Sequence, residues 1–300
     1  MKIQQKCLVC GSSNVKQTSG LVSPFLARRI WNRKPFPVKI SRCKGCGFAF
    51  FNSRMDSNEE RKLYSGYRSA EYQKMRFACE PWYTETFNAN LNAPEVWRFR
   101  KSKLADIFEQ QFHGPKIASI LDFGGDRGEL IADFAPGAEH FVYDISNVQP
   151  LPGITALSTL EACKQHQFDL ILSSNVLEHV GSPKEALQQI QEISSPSTLI
   201  FIEVPYESPF SLFTMTKRLA QNGILLGLRP RISLSMLRPG ALVHMHEHVN
   251  YFCPAALNHL VQSMGWEMVA EGTYSLGIYK VGWLKIPSGR MAWCVAKLRS

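Results

Sequence analysis

The sequence predicts an α/β protein, a mostly parallel sheet with helices on both faces, preceded by a small cysteine-bearing module of zinc-ribbon type. Three observations carry that expectation. Apolar strand runs alternate with helical patterns from about residue 95 onward, as in a parallel sheet joined by crossover helices. Residues 120–130, ILDFGGDRGEL, break a strand into a glycine-rich turn that should open a helix. Two C-x2-C pairs, Cys7/Cys10 and Cys43/Cys46, stand near the N-terminus, each followed by glycine.

The cysteines come first in the chain. Tetrahedral zinc needs four ligands, and two knuckles supply four thiolates with no open position, so the expected role is structural. The 32 residues between the pairs exceed a common ribbon spacing. Residues 23–37, with Pro24, Pro35, Pro37 and the cations Arg28, Arg29, Arg33 and Lys34, are therefore expected to form an inserted loop. Disulfides are the alternative, disfavoured in a reducing compartment. No apolar run reaches membrane-span length and no signal-peptide core opens the chain, so a cytoplasmic location is expected. Cys79, Cys163, Cys253 and Cys294 lack partners at ligand spacing.

Three segments are expected: a zinc-binding module over 1–52, a tyrosine-rich connection or lid over 53–94 (Tyr64, Tyr67, Tyr72, Tyr83), and an α/β domain over 95–300. Val96, Phe99, Leu104, Ile107 and Phe108 make an apolar stripe at helical spacing, ended by Gly114-Pro115. Strands are expected near 117–122, 140–144, 154–156, 168–173 and 198–204, with a helix over 184–194 behind Pro183. Residues 206–243, apolar yet basic, read as an insertion over the substrate side. Pro254 opens a helix that Gly265 closes, and strands near 266–271 and 292–298 finish the chain.

Asp144 ends a short strand 22 positions after Asp122. Glycines let a ligand approach the backbone, and an acid at that distance accepts hydrogen bonds from a ribose. With FDLILSSNVLEHV (168–180) and TLIFIEVP (198–205), the chain resembles the class I S-adenosylmethionine-dependent methyltransferases over residues 95–300. The resemblance implies a seven-stranded sheet and S-adenosyl-L-methionine held by Asp122, Gly124, Gly125, Gly128, Asp144, Ile145, Ser173, Asn175, Leu177 and Glu178. Asp126 stands where the family usually has its middle glycine; Asp tolerates left-handed backbone better than most residues. Asp169, at the start of a strand, reads as structural.

Charge is unevenly spread. Residues 1–100 carry 18 Lys/Arg against 7 Asp/Glu, and residues 101–200 carry 6 against 13. A basic module beside an acidic domain points to an anionic small-molecule or glycan substrate, with nucleic acid or an anionic membrane met through 206–243 as alternatives. The chemistry candidates concentrate in HMHEHVNYF, 244–252. On a strand His244, His246 and His248 would share one face; in a loop they would converge, and a metal site of that type is an alternative. This stretch resembles the E-H-x-x-Y-F segment of zinc-containing sugar C-methyltransferases. That implies His248 as general base, Glu247 orienting it or binding substrate, Tyr251 nearby, and Tyr67 loosely in the same pocket, with His246 a further candidate. The expected function is methyl transfer to a sugar, nucleotide-linked sugar or glycan at carbon or oxygen. An RNA methyltransferase and a non-catalytic protein on a degenerate fold are the alternatives.

Overall fold

The protein, seen in a computed structural model, is described for residues 2–299 except 68, 92, 112–116, 237–239, 282, 283 and 288. The chain gathers into two compact units. Residues 1–91, 178–182 and 207–252 form the first; residues 92–177, 183–206 and 253–300 form the second.

The first unit opens with β1 (Lys2–Ile3), which pairs with β5 (Ser53–Arg54). Between them β2 (Val15–Val22), β3 (Pro37–Cys43) and β4 (Ala49–Phe51) run as an antiparallel meander. The loop expected over 23–37 is instead largely α1 (Pro24–Trp31). Pro24 lies in the first turn, where its missing N–H is no loss, and the Ser23 hydroxyl accepts from the Leu26 N–H at 3.3 Å. Phe25, Leu26 and Ile30 then bury at helical spacing. The cations of this segment are partly engaged within the unit. Arg29 donates to the carbonyls of Leu63 and Ser65 at the end of α2 (Ser57–Tyr64), a favourable place for positive charge. The tyrosine-rich connection is helical too, with α3 (Ala70–Cys79) and α4 (Glu85–Leu91) after α2.

In the second unit α5 (Pro94–Gln111) precedes β6 (Ser119–Phe123), β7 (Glu139–Tyr143), β8 (Ile154–Ala156), α6 (Leu160–Cys163), β9 (Leu170–Ser174), α7 (Pro183–Glu192) and β10 (Leu199–Pro205). The chain returns to the first unit for α8 (Leu212–Leu228), α9 (Pro230–Met236), β11 (His244–Met245) and β12 (Asn250–Tyr251). It finishes in the second with α10 (Pro254–Ser263), β13 (Trp266–Ser275), the hairpin β14 (Ile278–Val281) and β15 (Leu284–Pro287), and β16 (Arg290–Leu298). Seven strands make one sheet in the order β13-β16-β10-β9-β6-β7-β8. The five from β10 to β8 are parallel, and β16 is antiparallel to both neighbours. Leu104, Ile107 and Phe108 of α5 pack on Ile120, Leu172, Phe201 and Val295 of the sheet.

The helix expected directly after the glycine turn does not form. Residues 126–133 pass through successive turns, with Ala132 N–H to Gly128 carbonyl at 3.0 Å as a single helical turn. Asp133 and Ala135 adopt left-handed backbone just before Pro136, which prevents propagation. The end expected at Gly114-Pro115 lies outside the described residues.

The first unit's second sheet, in the order β11-β2-β3-β4-β12, explains why its limits differ from 1–52. Strands from residues 244–251 pair with both edges of the N-terminal meander. Unpaired edges expose backbone donors and acceptors, and these late strands satisfy them. Arg54 fastens the arrangement. It is 5% exposed, and its guanidinium donates to the carbonyls of Phe51, Val180, Gly181 and Val249 and to Asn250 Oδ1, at 2.7–3.1 Å. Burial lowers its pKa to about 9, still leaving it charged at neutral pH. Gly181 is needed there, because a Cβ would stand 2.3 Å from the Met55 carbonyl oxygen.

Arg54→Met retains the bulk of the side chain and removes every donor. Several buried carbonyls then lose a charged partner, and the loss should reach at least about 3 kcal/mol. Denaturant unfolding followed by tyrosine and tryptophan fluorescence measures this; a midpoint within error of wild type would remove Arg54 from its assigned role.

Candidate functional site

The carboxyl ends of β6, β7 and β9 bring together the residues expected to hold a nucleoside cofactor. β6 lies between β7 and β9, so the strand order reverses beside it, the usual ligand position in such sheets. Asp122 is 2% exposed and lies directly under the turn: a Cβ on Gly125 would come within 2.1 Å of its Cγ. Burial raises the Asp122 pKa to about 7, with Arg100 pulling it down and Asp144, Glu129 and Asp126 pushing it up. Asp126 takes the left-handed conformation that a glycine would otherwise supply, with φ 55°. Its N–H donates to Asp144 Oδ2 at 2.9 Å, while Asp144 Oδ1 accepts from Ser146 N–H at 2.7 Å. A carboxylate has about four acceptor positions, so both oxygens can still receive ligand hydroxyls. Ile145 is exposed beside it.

At the end of β9, Ser173 Oγ is buried and has no hydrogen-bond partner among the described residues. Asn175 has φ 56°, and its N–H donates to the Glu203 carbonyl. Leu177 is fully buried, closer to core than to a ligand-facing position. The neighbouring framework is ionic: Arg100 pairs with Glu203 at 2.7 Å, and both Ser174 and Tyr274 donate to the same Glu203 carboxylate. The orphaned Ser173 hydroxyl, the close-set glycine turn and the strand-end Asp144 fit a polar nucleoside-bearing ligand.

The histidine segment belongs to the first unit, and only two of its three rings come together: His244 and His246 lie 5.6 Å apart, centroid to centroid, and His248 does not join them. His244 bonds the Ala241 carbonyl at 2.7 Å, and burial lowers its pKa to about 3. His246 lies 3.2 Å from Glu80 and is lowered to about 4, again by burial. His248 takes a different direction. Its Nδ1 bonds Glu207 Oε1 at 2.5 Å, and its ring meets His179 edge-on at 4.7 Å. Burial lowers the His248 pKa, but the Glu207 carboxylate, helped by Glu178 and Glu247, outweighs it and holds the ring at about 9. His179 is pushed down to about 3 by burial and the neighbouring His248. Because its Nδ1 faces the Glu247 carbonyl, which only accepts, that nitrogen carries the proton.

Glu247 does not touch the His248 ring through its carboxylate. That group receives Arg76 at 2.6 Å and Tyr72 at 2.9 Å, and Arg76 keeps it ionised despite burial. Arg76 also bonds Glu80, forming a buried chain Glu247–Arg76–Glu80 that ends at His246. Tyr64 packs edge-on to His179, Tyr67 lies between Tyr64 and Tyr72, and the buried Tyr64 hydroxyl has no hydrogen-bond partner among the described residues. Tyr251 is buried on β12 near Arg218 and Glu207. Glu178, expected at the cofactor, accepts at its carbonyl from Val249 and Asn250 N–H groups, and its carboxylate gathers with ring nitrogens of His179 and His248 within 4.8 Å. Such a trio can also hold a cation.

Residues 96–271 match the profile of a family described as a methyltransferase domain. The chain belongs to the methyltransferase-domain family. The activity that the match gives it is methyl transfer. No match was found among curated proteins. Similar solved structures include the plantazolicin methyltransferase BpumL with S-adenosylhomocysteine, at 13% identity over 80% of this chain and 95% of that one, TM-score 0.46. Another is the Burkholderia thailandensis 1,6-didemethyltoxoflavin-N1-methyltransferase, at 12% identity over 88% and 96%, TM-score 0.48. A third, a methyltransferase from Anabaena variabilis, is 13% identical over 68% and 93%, TM-score 0.44.

The methyltransferase also carries a four-cysteine cluster in its first unit. Gly11 N–H bonds the Cys7 carbonyl and Gly47 N–H the Cys43 carbonyl, two equivalent knuckles with left-handed glycines. Sulfurs of Cys7 and Cys46 are 3.6 Å apart, those of Cys10 and Cys43 3.5 Å, and all four lie within 4.8 Å. A tetrahedral zinc with bonds of about 2.3 Å spaces its sulfurs by roughly 3.8 Å, so the set is shaped for that ion. Glu207, Arg76, Glu80 and Arg218 surround the groups of the histidine segment and were not singled out by sequence reasoning. They come from segments far apart in the chain, and no local spacing joins them.

The Asp122 shift makes a pH prediction for the methyltransferase. Its folded pKa lies above the unfolded value, so its contribution is complete below about pH 4 and is lost as pH rises through about 7. Asp122→Asn should abolish that loss, which amounts to at most about 4 kcal/mol. Unfolding free energies at pH 5 and pH 8 give the comparison; equal slopes for the two proteins would contradict it.

Proposed function

We propose that this methyltransferase acts on a sugar, a nucleotide-linked sugar or a glycan, at carbon or oxygen, with His248 as general base. The observation that carries this reading is the Glu207–His248 pair. A carboxylate on Nδ1–H fixes the tautomer and leaves Nε2 to take a substrate proton. The likeness of Glu247-His248-Val249-Asn250-Tyr251-Phe252 to the sugar C-methyltransferase segment supports the acceptor class. The buried Tyr64 hydroxyl without a partner among the described residues supports a polar ligand near His179.

S-adenosylmethionine supplies an electrophilic methyl group. Asp144 would accept its ribose hydroxyls, the turn at Gly124, Gly125 and Gly128 would receive its amino-acid end, and Ser173 would offer a buried hydroxyl. Calorimetry at millimolar cofactor that detects no heat would sink this assignment. The enzyme's own task is to align the acceptor and remove its proton as the methyl arrives. A carbon acid beside a sugar ketone loses that proton once its enolate is stabilised; a hydroxyl loses it in concert with transfer.

His248→Asn should leave cofactor binding nearly intact and reduce turnover by roughly 10²–10⁴-fold. Because the resting ring is held at about 9, the neutral base becomes more abundant with rising pH, and kcat/KM should climb through that region. Glu207→Gln removes the opposite charge and should move the climb to lower pH by roughly one to two units. An unmoved profile would detach Glu207 from the base.

We further propose that Cys7, Cys10, Cys43 and Cys46 hold a structural zinc. Folding of the knuckles and metal binding are then one event. Elemental analysis should find one zinc per chain, and Cys43→Ser should lose it and destabilise the first unit. A wild type that purifies without metal and with all four thiols freely reactive would refute the assignment.

A further inference from the structure

α8 is an inverted surface helix. Gln221 and Leu225 face inward, Leu225 packing with Leu21 and Met236, and Asn222 bonds the Ala241 carbonyl. The outward side carries Leu212 (79% exposed), Phe213 (64%), Leu219 (62%) and Leu226 (56%), with Ile224 and Leu228 also exposed. Thr216, Ala220, Gly223 and Gly227 fill the spaces between them. At 100° per residue these positions form one continuous sector in which Lys217 is the sole charge, and it lies at the border. Leu234 on the following α9 is 65% exposed. A surface helix ordinarily turns such a face inward, and a contiguous exposed apolar patch marks an interaction site.

The charge around it selects the occupant. Residues 208–246 contain no Asp or Glu but five Lys or Arg. Lys217 and Arg231 are exposed and Arg229 is half-buried at the end of α8. A second copy of the chain, joined through this helix, would bring cationic rims together with no acid on the segment to meet them. An anionic bilayer offers both a hydrocarbon boundary for the leucines and phosphates for the cations. Among the described residues no helix is long and apolar enough to cross a membrane, which suits a helix lying in the interface plane.

We propose that the α8–α9 segment docks this enzyme on an anionic lipid surface, with Leu212, Phe213, Leu219 and Leu226 entering the headgroup boundary. The docking goes beyond the acceptor reading and stands without it. The test is co-sedimentation of the full-length protein with vesicles of phosphatidylglycerol and phosphatidylcholine, and with vesicles of phosphatidylcholine alone. Wild type should bind the anionic vesicles at least about tenfold more strongly, and less so in high salt as screening grows. The Leu219→Glu/Leu226→Glu double variant should lose at least about tenfold in vesicle binding while keeping wild-type thermal stability and cofactor affinity. Lys217→Glu/Arg231→Glu should reduce mainly the salt-sensitive part. Failure of the wild type to sediment at low salt, or full binding by the double variant, overturns the proposal. So does a wild-type dimer that the double variant dissolves without any vesicle binding, since the face would then be a self-contact.

Discussion

Arg54 is the interaction on which the first unit depends. Five hydrogen bonds from one buried guanidinium join β4 and β5 to residues 180–181 and to residues 249–250, segments separated by about 200 positions of chain. Among the described residues no carboxylate is hydrogen-bonded to it; oriented carbonyl dipoles and the Asn250 amide oxygen hold the cation, and the charge of nearby Glu60 favours it. The planar fork of arginine reaches several acceptors at once, which a lysine cannot do. Val249 and Asn250 in turn donate to the Glu178 carbonyl. The chain therefore leaves the parallel-sheet unit after Leu177, is anchored over 178–182, and re-enters that unit at Pro183.

That anchoring sets the histidine chemistry. His179 and His248 meet because the backbone around each is held by the same clamp. Their proton affinities are driven apart by what faces them: a carboxylate for His248, a carbonyl and another imidazole for His179. Pairs whose environments separate their pKa values are the arrangement acid–base chemistry requires. The Glu247–Arg76–Glu80 chain beneath has the opposite character. Its ion pairs are internal, and its function is to hold Glu247, whose main chain orients His179.

The two units divide the electrostatic labour. The sheet edge gathers carboxylates, Asp122 among them, and burial keeps Asp122 near neutrality until pH 7. The first unit gathers cations, and some of these answer structural needs: Arg29 caps α2, Arg54 clamps loops and Arg76 neutralises two glutamates. The basic composition of the N-terminal hundred residues is thus partly architecture, leaving α8 and α9 as the place where cations border an apolar face.

What the sequence determined by itself was everything governed by local period and short-range chemistry. The alternation of strands and helices from α5 to β16, the glycine turn with Asp144 at the end of the next strand, and the paired cysteine knuckles all follow from residue types at fixed spacing. The misreadings have local causes as well: prolines around 24–37 suggested a loop where Pro24 starts a helix, and the glycine turn suggested a helix that Asp133, Ala135 and Pro136 cut short. Only the tertiary structure decided that strands at 244–251 flank an N-terminal sheet, that Glu207 rather than Glu247 bonds His248, and that α8 turns its leucines outward. Each of these rests on contacts between segments far apart in the chain. Such contacts are selected by the burial of one polar group against another, and a linear pattern carries no record of which partner arrives.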